Sequence, residues 1–153
     1  MAEIVSKYIE CYVYKKFGKK LKYLLLKRSN SKEPFPGIWQ IVTGKMEEGE
    51  KAFETALREV KEETGLNPVS VFVAQRVNEF YTPHNNRIYL IPVFIAEVES
   101  EYVTLSVEHI KYKWLRFNKA YKKIHWQNQK EIFKQVNKSL KNENLKNNLI
   151  KIL

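Results

Sequence analysis

A single cysteine, Cys11, stands among 153 residues, so no intrachain disulfide can form and a disulfide-stapled scaffold is excluded. Long hydrophobic runs are missing too. The longest, Ile88 to Ala96, is nine residues and contains Pro92, well short of the roughly 20 that an apolar helix needs to cross a bilayer. The opening MAEIVSKYIE lacks the basic stretch and apolar run of a secretory signal, so the expected location is cytoplasmic, with no membrane partner. Acidic residues are the scarcer sign, 17 against 27 Lys and Arg, for a formal net charge of +10.

That excess raises the question of nucleic acid, since clustered Lys and Arg attract phosphate and release counterions. The distribution disfavours it. Lysines are scattered from Lys7 to Lys151, without an RRM, zinc-finger or helix-turn-helix signature. A smaller polyanion such as a triphosphate accounts for the charge equally well. With 44% hydrophobic and 13% aromatic residues the chain has material for a buried core, and its length suits one domain over 1–153.

Periodicity supplies the elements. Ser6 to Tyr14 alternates, with Ile9, Cys11 and Val13 on one face and Tyr8, Tyr12 and Tyr14 on the other, the pattern of a half-buried strand. After a turn at FGKK, Leu21 to Lys27 reads as its hairpin partner. The proline-rich SNSKEPFPG is a loop, and Ile38 to Thr43 a third strand. Phe53, Ala56, Leu57 and Val60 then recur at helical spacing, and Gly65 before Asn67-Pro68 stops that helix. Val69 to Phe80 and Arg87 to Val98 read as strands around the turn TPHNN, the second with an edge or bulge at Pro92. A strand over Lys111 to Arg116 leads to a C-terminal helix of about Asn128 to Leu140, and LKNNLIKIL reads as a short helix or frayed tail.

The helix starting near Phe53 carries a chemical anomaly. Seven of the 17 acidic residues lie between Gly44 and Leu66. Glu59, Glu62 and Glu63 are three and four positions apart, so they share a helix edge beside the apolar stripe. Like charges at that spacing cost roughly 0.2–0.5 kcal/mol per pair, and a C-terminal position adds a penalty from the helix dipole. A divalent cation would relieve both, and carboxylates with water and phosphate suit Mg²⁺. Taken alone, three glutamates on a helix more often form a solvated face, with Arg58 and Lys61 at hand to neutralise them.

The surrounding residues decide against that. Gly44, five residues, Glu50, seven residues, then Arg58-Glu59-Val60-Lys61-Glu62-Glu63-Thr64-Gly65-Leu66 match every fixed position of the Nudix box, over 44–66. The chain therefore resembles Nudix hydrolases. The resemblance implies an α/β/α sandwich with a mixed sheet and a loop-helix-loop that carries Mg²⁺ or Mn²⁺. By position, it implies Glu59 and Glu63 as central metal ligands, Glu62 as a further or water-mediated ligand, and Arg58 paired with Glu50 to fix the helix.

Outside the box, Trp39-Gln40-Ile41-Val42-Thr43-Gly44 replaces the Pro-Gly-Gly entrance of many members and resembles bacterial dATP pyrophosphohydrolases, some of which are dihydroneopterin triphosphate pyrophosphatases. Glu108-His109, two residues, then Tyr112-Lys113-Trp114-Leu115 resembles the same subgroup's C-terminal signature, which makes Glu108 a candidate metal ligand. Lys7, Arg28, Thr43 and Gly44 align with substrate-contacting or loop-shaping positions. Trp39 is a candidate for base stacking, although a strand tryptophan is more often core. His125-Trp126 resembles a pocket-lining segment, whereas His84 and His109 lack metal-ligand spacing and receive no role. The expected activity is Mg²⁺-dependent cleavage of a nucleoside triphosphate to monophosphate and pyrophosphate. Rivals are a hydrolase of ADP-ribose, dinucleoside polyphosphates or capped RNA, and a non-catalytic nucleotide-binding module. A small nucleotide is the expected partner, and a homodimer is left open.

Overall fold

In the computed structural model, which describes residues 1–153, the long strand β2 (Tyr8–Phe17) organises everything else. It pairs antiparallel with β3 (Lys20–Arg28) through its C-terminal half and with β5 (Val42–Lys45) through its N-terminal half. Along its other edge it runs parallel to β9 (Val93–Glu97). The sheet continues through β6 (Ser70–Val73) to β11 (Ile150–Lys151) on one side, and on the other side β10 (His109–Leu115) pairs with β3. The short β4 (Trp39–Gln40) also adds to β3, giving eight strands of mixed direction. A smaller sheet of three strands, β1 (Glu3–Val5), β8 (Arg87–Ile91) and β7 (Asn78–Thr82), stands beside it.

The alternation expected for β2 is present, but both of its faces are buried rather than one. Ile9, Cys11 and Val13 join Leu24 and Leu26 beneath α1 (Ala52–Thr64), packed on Ala56 and Val60. Tyr12 and Tyr14 join Tyr23 and Leu25 beneath α3 (Gln127–Lys141), packed on Ile132, Phe133 and Val136. Helices on both sides cover the middle of the sheet, which is the α/β/α sandwich, while the edge strand β10 keeps Ile110, Lys111, Tyr112 and Lys113 exposed. Tyrosine can fill such a core because its hydroxyl finds a partner at the edge. Tyr12 Oη donates to the Gln129 carbonyl at 2.8 Å and Tyr23 Oη to Asn137 Oδ1 at 2.7 Å.

Three expected strands are each split. Ile38–Thr43 divides into β4 and β5, which pair with different neighbours. Val69–Phe80 becomes β6 in the large sheet and β7 in the small one. Pro92 likewise separates β8 from β9, and its carbonyl accepts from the Glu10 amide at 3.1 Å. Proline has no N–H for a ladder, so the chain changes sheets there instead of bulging. The final segment forms α4 (Glu143–Asn147) and then β11 against β6, so it is neither frayed nor wholly helical. A short helix, α2 (Phe117–Lys123), precedes α3 and carries no apolar stripe long enough to read from sequence.

At the end of α1, Gly65 takes φ 73° and its N–H bonds the Lys61 carbonyl, a left-handed cap that only glycine adopts without strain. At its start, Glu54 reaches back to the Lys51 amide at 2.9 Å, a capping role for a residue that sequence alone would leave as solvated.

Candidate active site

A cavity of about 1200 Å³ opens where the edge of α1, the ends of β2, β3 and β5, and the start of α3 meet. Glu59, Glu62 and Glu63 line it from α1, Thr43 and Gly44 from β5, Arg28 from β3, and Glu108 from the loop before β10.

Arg58 is the electrostatic hub of the helix edge. Its Nε and Nη2 clasp the two Glu50 oxygens at 2.9 and 3.1 Å, and Nη1 donates to Glu59 at 2.8 Å and Glu62 at 3.1 Å. A second Nη2 bond, 3.0 Å to the Lys45 carbonyl, ties the loop to the helix. The bidentate Arg58 fork holds the Glu50 carboxyl down at about 2. Glu63 is the member Arg58 does not reach. Its side chain is buried and Oε2 has no hydrogen-bond partner. Burial, together with the Glu59 and Glu108 carboxylates, pushes its pKa up to about 9. Burial also raises Glu59, against the pull of Arg58.

Across the cavity, Glu108 is partly exposed and pairs with Lys32 at 3.0 Å. Glu63, Glu108 and His109 each bring one ligating atom within 4.8 Å of the others. An orphaned buried carboxylate oxygen facing further carboxylates is a hard, negatively charged donor set, and it fits a hard divalent cation. Burying such charge is costly, and either a bound cation or the proton that Glu63 keeps up to about pH 9 offsets it.

His109, set aside on spacing, thus enters the cluster by folding. It sits beside Arg28 in the β10–β3 ladder, a relation invisible along the chain. Burial lowers its pKa to about 4, keeping the ring neutral. The Gln40 amide lies 2.9 Å from its Nε2, and with that amide donating, the neutral ring carries its proton on Nδ1, so His109 borders the carboxylates without a free lone pair for a cation.

The other expected substrate positions separate. Arg28, Thr43 and Gly44 line the cavity, and Arg28 Nε is buried without an acceptor. Lys7 does not line it; its carbonyl accepts from the Met46 amide at 2.8 Å. Trp39 is on the other side of the sheet, packed against the α3 core, with the Lys113 and Lys123 ammonium groups over its ring at 5.4 and 5.3 Å. Its apolar area is used in the core, so base stacking does not fall to it. Trp126 does line the cavity, edge-on to Phe35 with centroids 4.6 Å apart.

Gly44 is fixed by crowding. A Cβ there would overlap the Glu59 Cγ and carboxyl carbon and sit 2.7 Å from its Oε1. Gly44→Ala is expected to displace the Glu59 carboxylate and lower kcat by about tenfold or more, since small misplacements of reacting groups are costly. Circular dichroism should show the fold intact. Wild-type turnover in Gly44→Ala would remove Glu59 from the machinery.

Comparison with known proteins supplies the family. The model of the NUDIX domain matches residues 9–136. Dihydroneopterin triphosphate diphosphatase of Haemophilus influenzae is 32% identical over 124 residues, 73% of this chain and 76% of that protein. The solved Escherichia coli dihydroneopterin triphosphate pyrophosphohydrolase superposes with a TM-score of 0.66 at 27% identity, over 86% of this chain and 96% of that one. A Caenorhabditis elegans Ap4A hydrolase superposes with a TM-score of 0.75 over 90% of this chain and 98% of that one, and at 21% identity shows the fold alone. The box at 44–66, the sandwich that frames it and the extended match together establish that the chain belongs to the NUDIX domain family and is a hydrolase of phosphoric anhydride bonds.

Proposed function

We propose that the chain hydrolyses a nucleoside triphosphate, dATP-like or dihydroneopterin triphosphate, to the monophosphate and pyrophosphate with Mg²⁺. The observation that carries the reading is Glu63, buried with an unpartnered oxygen at the wall of a cavity large enough for a nucleotide. Glu59, Glu63 and Glu108 would hold the cation, with Glu62 at the solvent edge as a further or water-mediated ligand. When bound, Mg²⁺ offsets phosphate charge and polarises water.

The chain's own residues do the rest. Arg58 locks Glu59 and Glu62 into position through the Glu50 clasp, so the carboxylates are organised before substrate arrives. Arg28 offers an unpaired guanidinium N–H to a phosphate oxygen. In the reaction a water oxygen bonds to phosphorus, the bond from phosphorus to the bridging oxygen breaks, and pyrophosphate leaves. A glutamate takes the water proton, and Glu59, Glu62 and Glu108 all border the same space. The lysine-rich exterior draws the polyanion in.

Support for the triphosphate class comes from the Haemophilus influenzae and Escherichia coli relatives. The test is pyrophosphate release with Mg²⁺ across dATP, the other nucleoside triphosphates, dihydroneopterin triphosphate, ADP-ribose and diadenosine polyphosphates. Release from one or more triphosphates is expected. Turnover confined to ADP-ribose or to dinucleoside polyphosphates would overturn the assignment.

A further inference from the structure

Beyond the carboxylates, the same cavity holds a second polar group that the hydrolytic chemistry does not use. Glu10 lies on β2 within the strand YIECYVY, and it is 3% exposed, although no Lys or Arg pairs with it. Asn78 at the start of β7 donates its Nδ2 to Glu10 Oε1 at 2.6 Å. Gln129 on α3 sits beside them, held in place where Tyr12 Oη bonds its carbonyl, and both amides line the cavity with Glu10. Asn78 and Gln129 are 4% and 5% exposed.

Burial raises the Glu10 pKa, and the Asn78 and Gln129 amides that bond it pull the other way by favouring the carboxylate. A carboxylate only accepts, so it turns those amide nitrogens towards itself and the amide oxygens away. The result is three buried oxygens without any donor: Glu10 Oε2, Asn78 Oδ1 and Gln129 Oε1. Buried polar atoms in a folded protein are ordinarily paired, so three orphans of one kind on one cavity wall ask for a ligand that supplies donors. The adjoining rim is aromatic, with Phe80, Phe35 and Trp126 all partly exposed on the cavity. Flat apolar walls beside a polar floor suit a planar heterocycle.

We infer that this end of the cavity is a subsite for a heterocycle presenting an amino group beside a ring N–H, the edge shared by guanine and by pterins. That edge offers three N–H bonds to three acceptors, two of them parallel as a carboxylate prefers. Adenine fits poorly, because the ring nitrogen beside its amino group is an acceptor and would face the Glu10 carboxylate lone pair to lone pair. Backbone registry sets the subsite against the hydrolytic one, since Glu10 pairs with Thr43, and Ile9 with Gly44, in the β2–β5 ladder. This inference rests on the triphosphate reading in placing the phosphates at the α1 carboxylates, and within that reading it favours a guanine-like or pterin substrate over dATP.

Calorimetric titration of the full chain with GMP, neopterin monophosphate, IMP and AMP, in Mg²⁺ buffer, tests it without turnover. IMP is GMP without the amino group. A site built around buried acceptors rejects a ligand lacking one donor by about tenfold or more, so GMP or neopterin monophosphate should bind at least that much tighter than IMP and AMP. Preference for GMP alone assigns a purine, for neopterin monophosphate alone a pterin, and each supports the subsite. In Glu10→Gln the preference for GMP over IMP should collapse towards one, with thermal unfolding reporting that the variant folds; if it does not fold, the wild-type ligand series decides alone. Equal affinity for all four ligands, or none measurable for any, overturns the inference. Loss of pyrophosphate release from every triphosphate, with the preference over IMP intact, would sink the hydrolytic reading and leave the subsite standing.

Discussion

Replacing Glu63 with glutamine is expected to reduce kcat with Mg²⁺ by about 10²–10³-fold, the scale that follows removal of one preorganised electrostatic group from an active site. Gln fills the same volume and can still accept through one oxygen, so the helix α1 and its packing on Val60 and Ala56 remain. Stability should separate the two effects. The Glu63 carboxyl is raised to about 9 from an ordinary 4.5, so the folded chain prefers its protonated form. A raised pKa contributes stability that is fully present below pH 4.5 and is lost as pH rises towards 9. Metal-free wild type at pH 8 has therefore lost most of that contribution, whereas Glu63→Gln, which cannot ionise, keeps it. The variant should melt at the same or a higher temperature than wild type in chelator at pH 8, with the difference shrinking at pH 5. Added Mg²⁺ should raise the wild-type melting temperature more than the variant's, because binding to the folded state alone stabilises it. Full activity in Glu63→Gln, or an equal Mg²⁺ response, would remove Glu63 as a ligand.

The largest stability effect is expected far from that site. Phe133 on α3 is fully buried, and its ring meets Tyr23 at 4.6 Å, Phe117 at 4.8 Å and Tyr12 at 5.3 Å between centroids. No other side chain gathers so many aromatic partners in the α3 layer. Phe133→Ala should destabilise the chain by about 3–5 kcal/mol, as buried aromatic truncations do through lost transfer energy and the cavity left behind. That is a large share of the roughly 5–15 kcal/mol that holds a domain of this kind together. Urea denaturation followed by tryptophan fluorescence should show the midpoint falling with little change in slope. A shift below about 1 kcal/mol would mean that α3 is not the cover of this face.

How much of this could be read along the chain depends on the range of the interaction concerned. Helix α1 and its stop at Gly65 are legible because apolar spacing and a stop signal act within a few turns of chain, whereas the pairing of Arg58 with Glu50 was implied by the resemblance to the Nudix box. The crowding that demands Gly44 is of another kind, since only the packed loop shows the Glu59 carboxylate filling the space of a Cβ. The strand β2 was legible as an alternation, but not as a strand buried on both faces. Period two states that two faces differ; it does not state what covers each, and here α3, more than a hundred residues later, covers the tyrosines.

What the sequence by itself determined is the family motif, the order and type of the main elements and the carboxylates of α1, all set by contacts within a few turns of chain. Tertiary structure alone decided where the long strands break between two sheets, that Trp39 belongs to the core, that His109 joins Glu63 and Glu108, and that Glu10, Asn78 and Gln129 share one wall. Sequence does flag Glu10 as a charge among core-facing residues, yet its partners are 68 and 119 positions away along the numbering of the chain. Local periodicity encodes which face a side chain takes; which distant face it meets is settled only when the whole chain closes around β2.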